Sequence, residues 1–416
     1  MSAGNIRIRL RNAVVVAVAL SALGGCMSSK IVEGRKRFYN GDTAAAVETF
    51  TSIKDKKGKD RILILLEYGL ALHVAGMYPE SVEVLMEADK VIEAEDVVHL
   101  AEETGSLVSN EMMTTYRPES FERVLVHTYL AINFILMDDW SAARVEARKT
   151  LKILDSLDED LRDQPFARYI CALAFDLMDD TDSAYIEYKK VTKAAPYAVP
   201  AYRELHRIAI LRGDGSDARK WARKIRDNGG VAESDPEPPN LIVFVGAGRS
   251  PVKIEINTVV PPHVNRFVIP DYKSSGSRAH HATLSVEEGG GEKSYVLTDL
   301  DPLAQKTLKK RIAKEIAKEV ARVAAKEVIA RQLEDQSPLL GLGARVVFFA
   351  SEAADVRSWE TLPRYMSVIT KRLPPGTYNI TIEFRSAGGA PVGTTIQREI
   401  TIIENRRTVL SVRSVK

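Results

Sequence analysis

The sequence predicts an α+β, multidomain protein: an all-α helical-repeat array first, then a β-rich, sandwich-like domain that carries one long helix. Three observations predict it. Turn signals recur through an otherwise helical first half. At Gly229-Gly230 helical spacing gives way to short alternating or β-branched segments. Within that second half a single stretch, 303–334, returns to helical periodicity.

The chain opens on a leader. Met1 to Asn12 is basic through Arg7, Arg9 and Arg11, and Ala13 to Leu23 is apolar except for Ser21. That apolar run is about half of what a bilayer-spanning helix needs. Leu23-Gly24-Gly25 then meets Cys26. Charge, short apolar core and small residues in that order predict a secretory signal peptide over 1–25. A thiol directly after two glycines predicts a bacterial lipoprotein, with Cys26 as the lipidation site and 26–34 as the tether. An ordinary signal peptide or a retained anchor are the alternatives. Buried acyl carbons contribute about 0.8 kcal/mol each, so two or three chains would hold the protein on a membrane. Met27 in place of an acid points to the outer membrane, facing the periplasm. The leader's three arginines take the net charge from +2 to −1 when they leave, which argues against nucleic-acid partners.

Residues 35–229 carry the repeat. Turns fall at Gly41-Asp42, Gly76-Met77, Asp138-Asp139, Asp179-Asp180 and Gly213-Asp214, at intervals of 35, 62, 41 and 34 residues. That is a period of about 34 with one enlarged unit, the extra sequence lying between Lys90 and Glu119. Small residues follow the turns at related offsets: Ala45-Ala46, Ser81, Ala142-Ala143, Ser183-Ala184 and Ala218. The pattern resembles degenerate tetratricopeptide repeats, in which small residues let paired helices approach closely. Ala194-Ala195-Pro196 matches the proline that closes such a unit.

Residues 230–240 hold Pro236, Pro238 and Pro239 and predict a linker. In the β-rich part, 241–416, strands are expected at 241–245, 252–256, 266–269, 344–349, 366–373, 377–384, 395–403 and 408–412. Asp301 and Pro302 open the long helix as N-cap and first helical residue. Leu308, Ile312, Ile316, Val320 and Val323 make its apolar stripe, and nine Lys/Arg against four Glu occupy much of the rest. Three roles are open to it: covering a sheet, lying on an anionic membrane surface, or pairing with a partner, including a second copy of the chain.

Motifs for chemistry are sparse. Gly246-Ala-Gly248 is followed by Ser-Pro and a new strand, so it reads as a turn rather than a phosphate cradle. His280-His281 lies in a loop, and neighbouring histidines on extended backbone point apart, so no metal site is expected. His73, His99 and His206 read as isolated helix residues, and Cys171 as a small core residue. No cofactor motif and no catalytic grouping emerges.

Two polar clusters stand out. One is Tyr116-Arg117-Pro118-Glu119-Ser120-Phe121-Glu122-Arg123 with His127, Asn133, Glu146 and Arg148, where a repeat helix should be mainly apolar. The other is Ser351 to Pro363, dense in polar residues around Trp359. Each admits two readings, a structural network or a recognition surface. Together with Glu67-Tyr68-Gly69, Gly76, Ala143-Arg-Val-Glu-Ala-Arg148 and Leu373-Pro-Pro-Gly376, these clusters make residues 35–412 resemble a family of tetratricopeptide-containing envelope lipoproteins of Gram-negative bacteria. Some members of that family sit beside lipoproteins that activate penicillin-binding proteins. The resemblance implies a role in envelope or peptidoglycan assembly and brings no catalytic residues.

The resulting expectation is a non-enzymatic scaffold, anchored through Cys26, that binds an envelope protein on the exposed surface of its stacked helices. Tyr116, Arg117, Glu119, Arg123, His127 and Arg148 are the expected contacts there, with Asp355, Arg357 and Trp359 from the β-rich part. The rival expectation is an envelope enzyme or a carrier of a cell-wall or lipid fragment. That reading requires a cavity between the two parts with converging polar groups.

Overall fold

A computed structural model describes residues 28–102, 115–232, 237–260, 265–287, 290–337 and 354–416. Cys26 with its leader, the strand expected at 344–349 and Ser351 to Ala353 lie outside the described residues.

The turn spacing is realised as five consecutive helix pairs: α1 (Ser29–Tyr39) with α2 (Thr43–Thr51), α3 (Arg61–Val74) with α4 (Tyr78–Glu102), α5 (Ser120–Leu136) with α6 (Trp140–Ser156), α7 (Pro165–Asp176) with α8 (Thr181–Ala194), and α9 (Val199–Leu211) with α10 (Gly215–Asp227). One turn geometry recurs between partners. Gly41, Gly76, Asp138, Asp179 and Gly213 all take positive φ, from 56° to 87°. In four of the five turns the next residue is an aspartate that caps the second helix: Asp42, Asp139, Asp180 and Asp214 each accept a backbone N–H from its first turn. Inside the pairs, small residues set the spacing. A Cβ on Gly69 would stand 2.6 Å from Leu85, and one on Gly34 would stand 2.6 Å from the Phe50 ring.

The first helices of the last four pairs are buried far beyond an amphipathic stripe, whereas α1 buries one face through Ile31, Gly34, Arg35 and Phe38. α3 is buried continuously from Ile62 to His73, and α7 along its whole length. Such helices need apolar cover on both sides. The second helices supply one side and a β-sheet supplies the other.

That sheet has the order β10-β1-β7-β6, from Thr408–Ser414, Leu241–Ala247, Tyr365–Lys371 and Tyr295–Asp299. β10 runs parallel to β1, and the other pairings are antiparallel. Its two faces divide β1 by alternation. Ile242 and Phe244 join the helical core, while Leu241, Val243 and Val245 face a second sheet. The second sheet is antiparallel, of order β5-β4-β8-β9, from Gly290–Lys293, His281–Val286, Gly376–Arg385 and Ile396–Ile402. β2 (Val252–Val260) and β3 (Asn265–Lys273) form a separate ribbon, against which the long helix α11 (Leu300–Gln336) packs. The molecule is thus layered as second helices, first helices, sheet and sheet. α3 and α5 contact β10, α7 contacts β6 and α9 contacts β7.

The segment read as a linker ends docked, not free: Asn240 donates to Leu373 O at 2.7 Å and accepts from Leu373 N at 2.9 Å. Gly246 belongs to β1, and the turn begins only at Gly248, with φ 75°. His281 and Gly290, both read as loop, begin strands. The two histidine rings meet, with their Nδ1 atoms 3.3 Å apart, and His280 also lies against Tyr365 with ring centroids 4.4 Å apart.

Candidate functional site

The polar clusters lie inside the junction between helices and sheet, and they bind each other. Glu67, wholly buried on α3, accepts Arg35 Nε at 2.7 Å and the backbone N–H groups of Glu360 and Thr361 at 3.0 and 3.1 Å. Arg35 also reaches Glu360 at 2.7 Å. Glu122 of α5 accepts Tyr116 Oη at 2.6 Å and Trp359 N at 2.7 Å. Arg357 is forked onto Asp355 at 2.7 and 2.8 Å and reaches Asp60 at 3.1 Å. Glu119 meets Lys253 of β2 at 2.8 Å. Below this seam Asp176 takes Arg207 at 2.5 Å together with Arg407.

This placement corrects the surface expectation for five of the nine residues. Tyr116, Glu119, His127, Arg357 and Trp359 are buried, with Trp359 and Arg357 each 1% exposed. Asp355 is half-buried as a partner of Arg357. The reason is charge pairing: acids on the first helices and the cations and amides of 355–361 satisfy one another, so neither side is left for a partner. Arg117 and Arg148 are exposed, and Arg123 holds Asp96 at the surface at 2.6 Å. His127 sits between Glu146 at 2.7 Å and Asp89 at 3.3 Å. Burial lowers its pKa, but those two hydrogen bonds outweigh burial and the net shift is upward.

Beside the seam the layers part around a cavity of about 230 Å³. Ile132, Phe166, Phe244 and Met366 supply apolar walls. Thr43, Val74, Ile396 and Arg398, all at least partly exposed, form its rim. His73, Ser411, Tyr129 and Arg413 give it polar groups, and none of its described lining residues is acidic. His73 Nδ1 lies 2.6 Å from Asn133 Oδ1, whose amide donates to Ser81 Oγ at 2.9 Å, and Ser81 Oγ donates to Gly69 O at 2.7 Å. That chain places the proton on Nδ1, so Nε2 accepts from Ser411 Oγ at 2.9 Å. Burial lowers the His73 pKa to about 4, against the smaller opposing effect of Asn133.

Arg413 crosses the bare backbone of Gly246, where a Cβ would stand 3.0 Å from its Cδ. Among the described residues its guanidinium donates only to carbonyls: those of Gly246 (3.5 Å), Gly248 (2.6 Å), Thr361 (3.3 Å), Leu362 (3.2 Å) and Ser414. Its Nε, shut off from solvent, has no acceptor among them. Burial, the largest effect on it, pushes its pKa down to about 10. Arg413 is half-buried, whereas the fully buried Arg35, Arg168, Arg207 and Arg357 each hold an acid.

Sequence reading missed this group because it combines α3, α5 and β10. The available signal was the polar alternation Ser411, Arg413 on a strand whose other face, Leu410 and Val412, is apolar.

The His73 shift sets a pH dependence. The unfolded chain takes up a proton near the ordinary histidine value of 6.5, while the folded imidazole refuses it until about pH 4. Stability from this group is therefore present above 6.5 and lost as pH falls through that window. His127 has the opposite sign, stabilising below its raised pKa. His73→Gln is expected to lose about 2–3 kcal/mol less than the parent between pH 7.5 and 4.5, read by urea unfolding. Parallel profiles for the two proteins would contradict a buried neutral His73.

No protein-family model and no curated protein matches the chain. Among solved structures, the crystal structure of MamA aligns at a TM-score of 0.36 and 16% identity, over 47% of this chain and 94% of its own. MamA residues 41 to the end, from Desulfovibrio magneticus RS-1, aligns at 0.34 and 13%, over 49% and 97%. YrrB, a TPR protein with an unusual peptide-binding site, aligns at 0.35 and 12%, over 50% and 90%.

Proposed function

We propose that the chain is a lipid-anchored, non-enzymatic ligand-binding protein of the bacterial cell envelope, which holds a small molecule between its helical array and its sheet. The cavity carries this reading. It lies where the two halves of the chain meet, is open at one rim, and gathers polar groups from three elements over apolar walls. The first-helix face that helical arrays use for protein partners is taken by the chain's own sheet. The basic leader, short apolar core and Gly-Gly-Cys26 junction support the anchor.

Ser411, His73 and Asn133 have the order of a nucleophile, a base and an orienting group. Their chemistry argues for holding rather than reacting. Asn133 brings no negative charge to offset an imidazolium, and burial keeps His73 neutral well into acid.

Protein purified from its native envelope should carry palmitate on Cys26 and release a small molecule on denaturation. Ile132→Trp, which fills the cavity, should abolish that release while Cys26→Ser abolishes the label. Recovery of the same compounds from parent and Ile132→Trp protein would end the ligand reading.

A second reading keeps a protein partner, on the second helices. Val145 and Ile186 each stand six residues past the capping aspartate of consecutive repeats, 50% and 54% exposed. A photoreactive residue at either position should trap one defined protein in cells, and one at buried position 359 should not. Equal trapping at all three would count against it.

A further inference from the structure

The chemical class of the ligand follows from what the cavity leaves unsatisfied, and the step rests on the ligand-binding reading above. A phenol and a cation border the cavity. Tyr129 is 6% exposed, and its hydroxyl makes no hydrogen bond to any described residue, although it lines the space. Arg413 is half-buried, its terminal N–H groups go to backbone carbonyls, and its charge makes no ion pair with a described acid. The two groups are near enough for the cation to lower the phenol's pKa against the upward push of burial. A charge drawn out of water is costly unless it is compensated, and among the described lining residues the other charged side chain is Arg398 at the rim, also a cation.

Size and lining restrict the remainder of the ligand. An apolar cavity of about 150 Å³ holds benzene, so about 230 Å³ takes a body of roughly ten non-hydrogen atoms on the same scale. Phe166, Phe244, Ile132 and Met366 ask for hydrocarbon. One inner cation asks for one negative charge, and a neutral hydroxyl beside it suits a planar, two-oxygen group. We infer that the cavity binds a monoanionic carboxylate with a short hydrocarbon body, one oxygen accepting from the Tyr129 hydroxyl, its charge facing the uncompensated charge of Arg413, and its chain laid along Phe166 and Phe244 toward the rim.

The test compares octanoate with octanamide, which has the same shape and no charge, by calorimetric titration of the full chain in detergent. Octanoate should bind at least tenfold tighter than octanamide. Tyr129→Phe, which removes one oxygen from an otherwise intact ring, should cut octanoate affinity about tenfold, the low end for a hydrogen bond to a charged group, and leave octanamide within about threefold. Arg413→Lys should keep the preference for the anion if it folds, and its folding is checked by urea unfolding. Equal affinity for acid and amide would overturn the carboxylate assignment and leave the ligand-binding reading standing. No binding of octanoate, with a neutral compound co-purifying from the native envelope, would overturn it in the same way. No binding of either probe, with nothing co-purifying, would remove both.

Discussion

Arg35→Met is expected to cost about 3–5 kcal/mol of folding stability, the loss that follows when one member of a buried ion pair is removed. The guanidinium is 4% exposed and serves two carboxylates, Glu67 and Glu360, plus the carbonyl of Ser358. Removing it strands two buried acids in one place. Glu360 already titrates above the usual carboxylate range, because burial and its neighbour Glu67 outweigh Arg35. Without the arginine it would rise further. The sign of the pH effect is therefore set. Acids whose folded pKa is raised bind protons more readily when folded, so the penalty of Arg35→Met should shrink as pH falls from 7.5 toward 5. Urea unfolding at both pH values measures it. A penalty below 1 kcal/mol at pH 7.5 would mean that water enters the seam and the junction is looser than these contacts require.

Trp359→Ala is the second large effect, at about 3–5 kcal/mol. The indole is 1% exposed, leans on Tyr129 with ring centroids 6.2 Å apart, and donates to Thr361 Oγ1 at 3.1 Å. Its truncation opens a void between α5 and the 355–361 segment, and the backbone N–H that Glu122 accepts stays in place. As a reference, Ile186→Ala on an exposed helix face should lie within about 0.5 kcal/mol of the parent. A folded, fully stable Trp359→Ala protein that had lost a binding partner would restore the surface role that the sequence suggested for this residue.

Local signals reached as far as the repeat. The turns at Gly41, Gly76, Asp138, Asp179 and Gly213 were legible because each needs a residue that accepts positive φ, followed in four cases by a short acid that caps a helix. The long helix was legible from its spacing, but its start was misplaced: it begins at Leu300, and Asp299 rather than Asp301 accepts a first-turn N–H, that of Asp301, at 3.1 Å. Tyr116, Glu119, Arg357 and Trp359 were legible as unusual and not as mutual partners. Polar residues on a repeat helix look alike whether they face water or an acid-for-base match brought by another part of the chain. Glu67 and Thr361 lie 294 residues apart, and nothing local in either marks the other. The cavity was hidden for the same reason. His73 read as solitary because Asn133 and Ser411 are 60 and 338 positions away.

The parallel pairing of β10 with β1 has a consequence for how the protein is made. Gly246 and Arg413, which touch across that pair, are separated by 167 residues, so the sheet that covers the helical half cannot close until synthesis has gone well past it. In the interval the nascent helices would leave bare the apolar face that includes Phe166, which in the finished protein packs on Phe244 of β1. Distant closure of this kind is slow and leaves greasy surface open to misassembly. A holding chaperone, rather than spontaneous collapse behind the ribosome, is the route this topology favours.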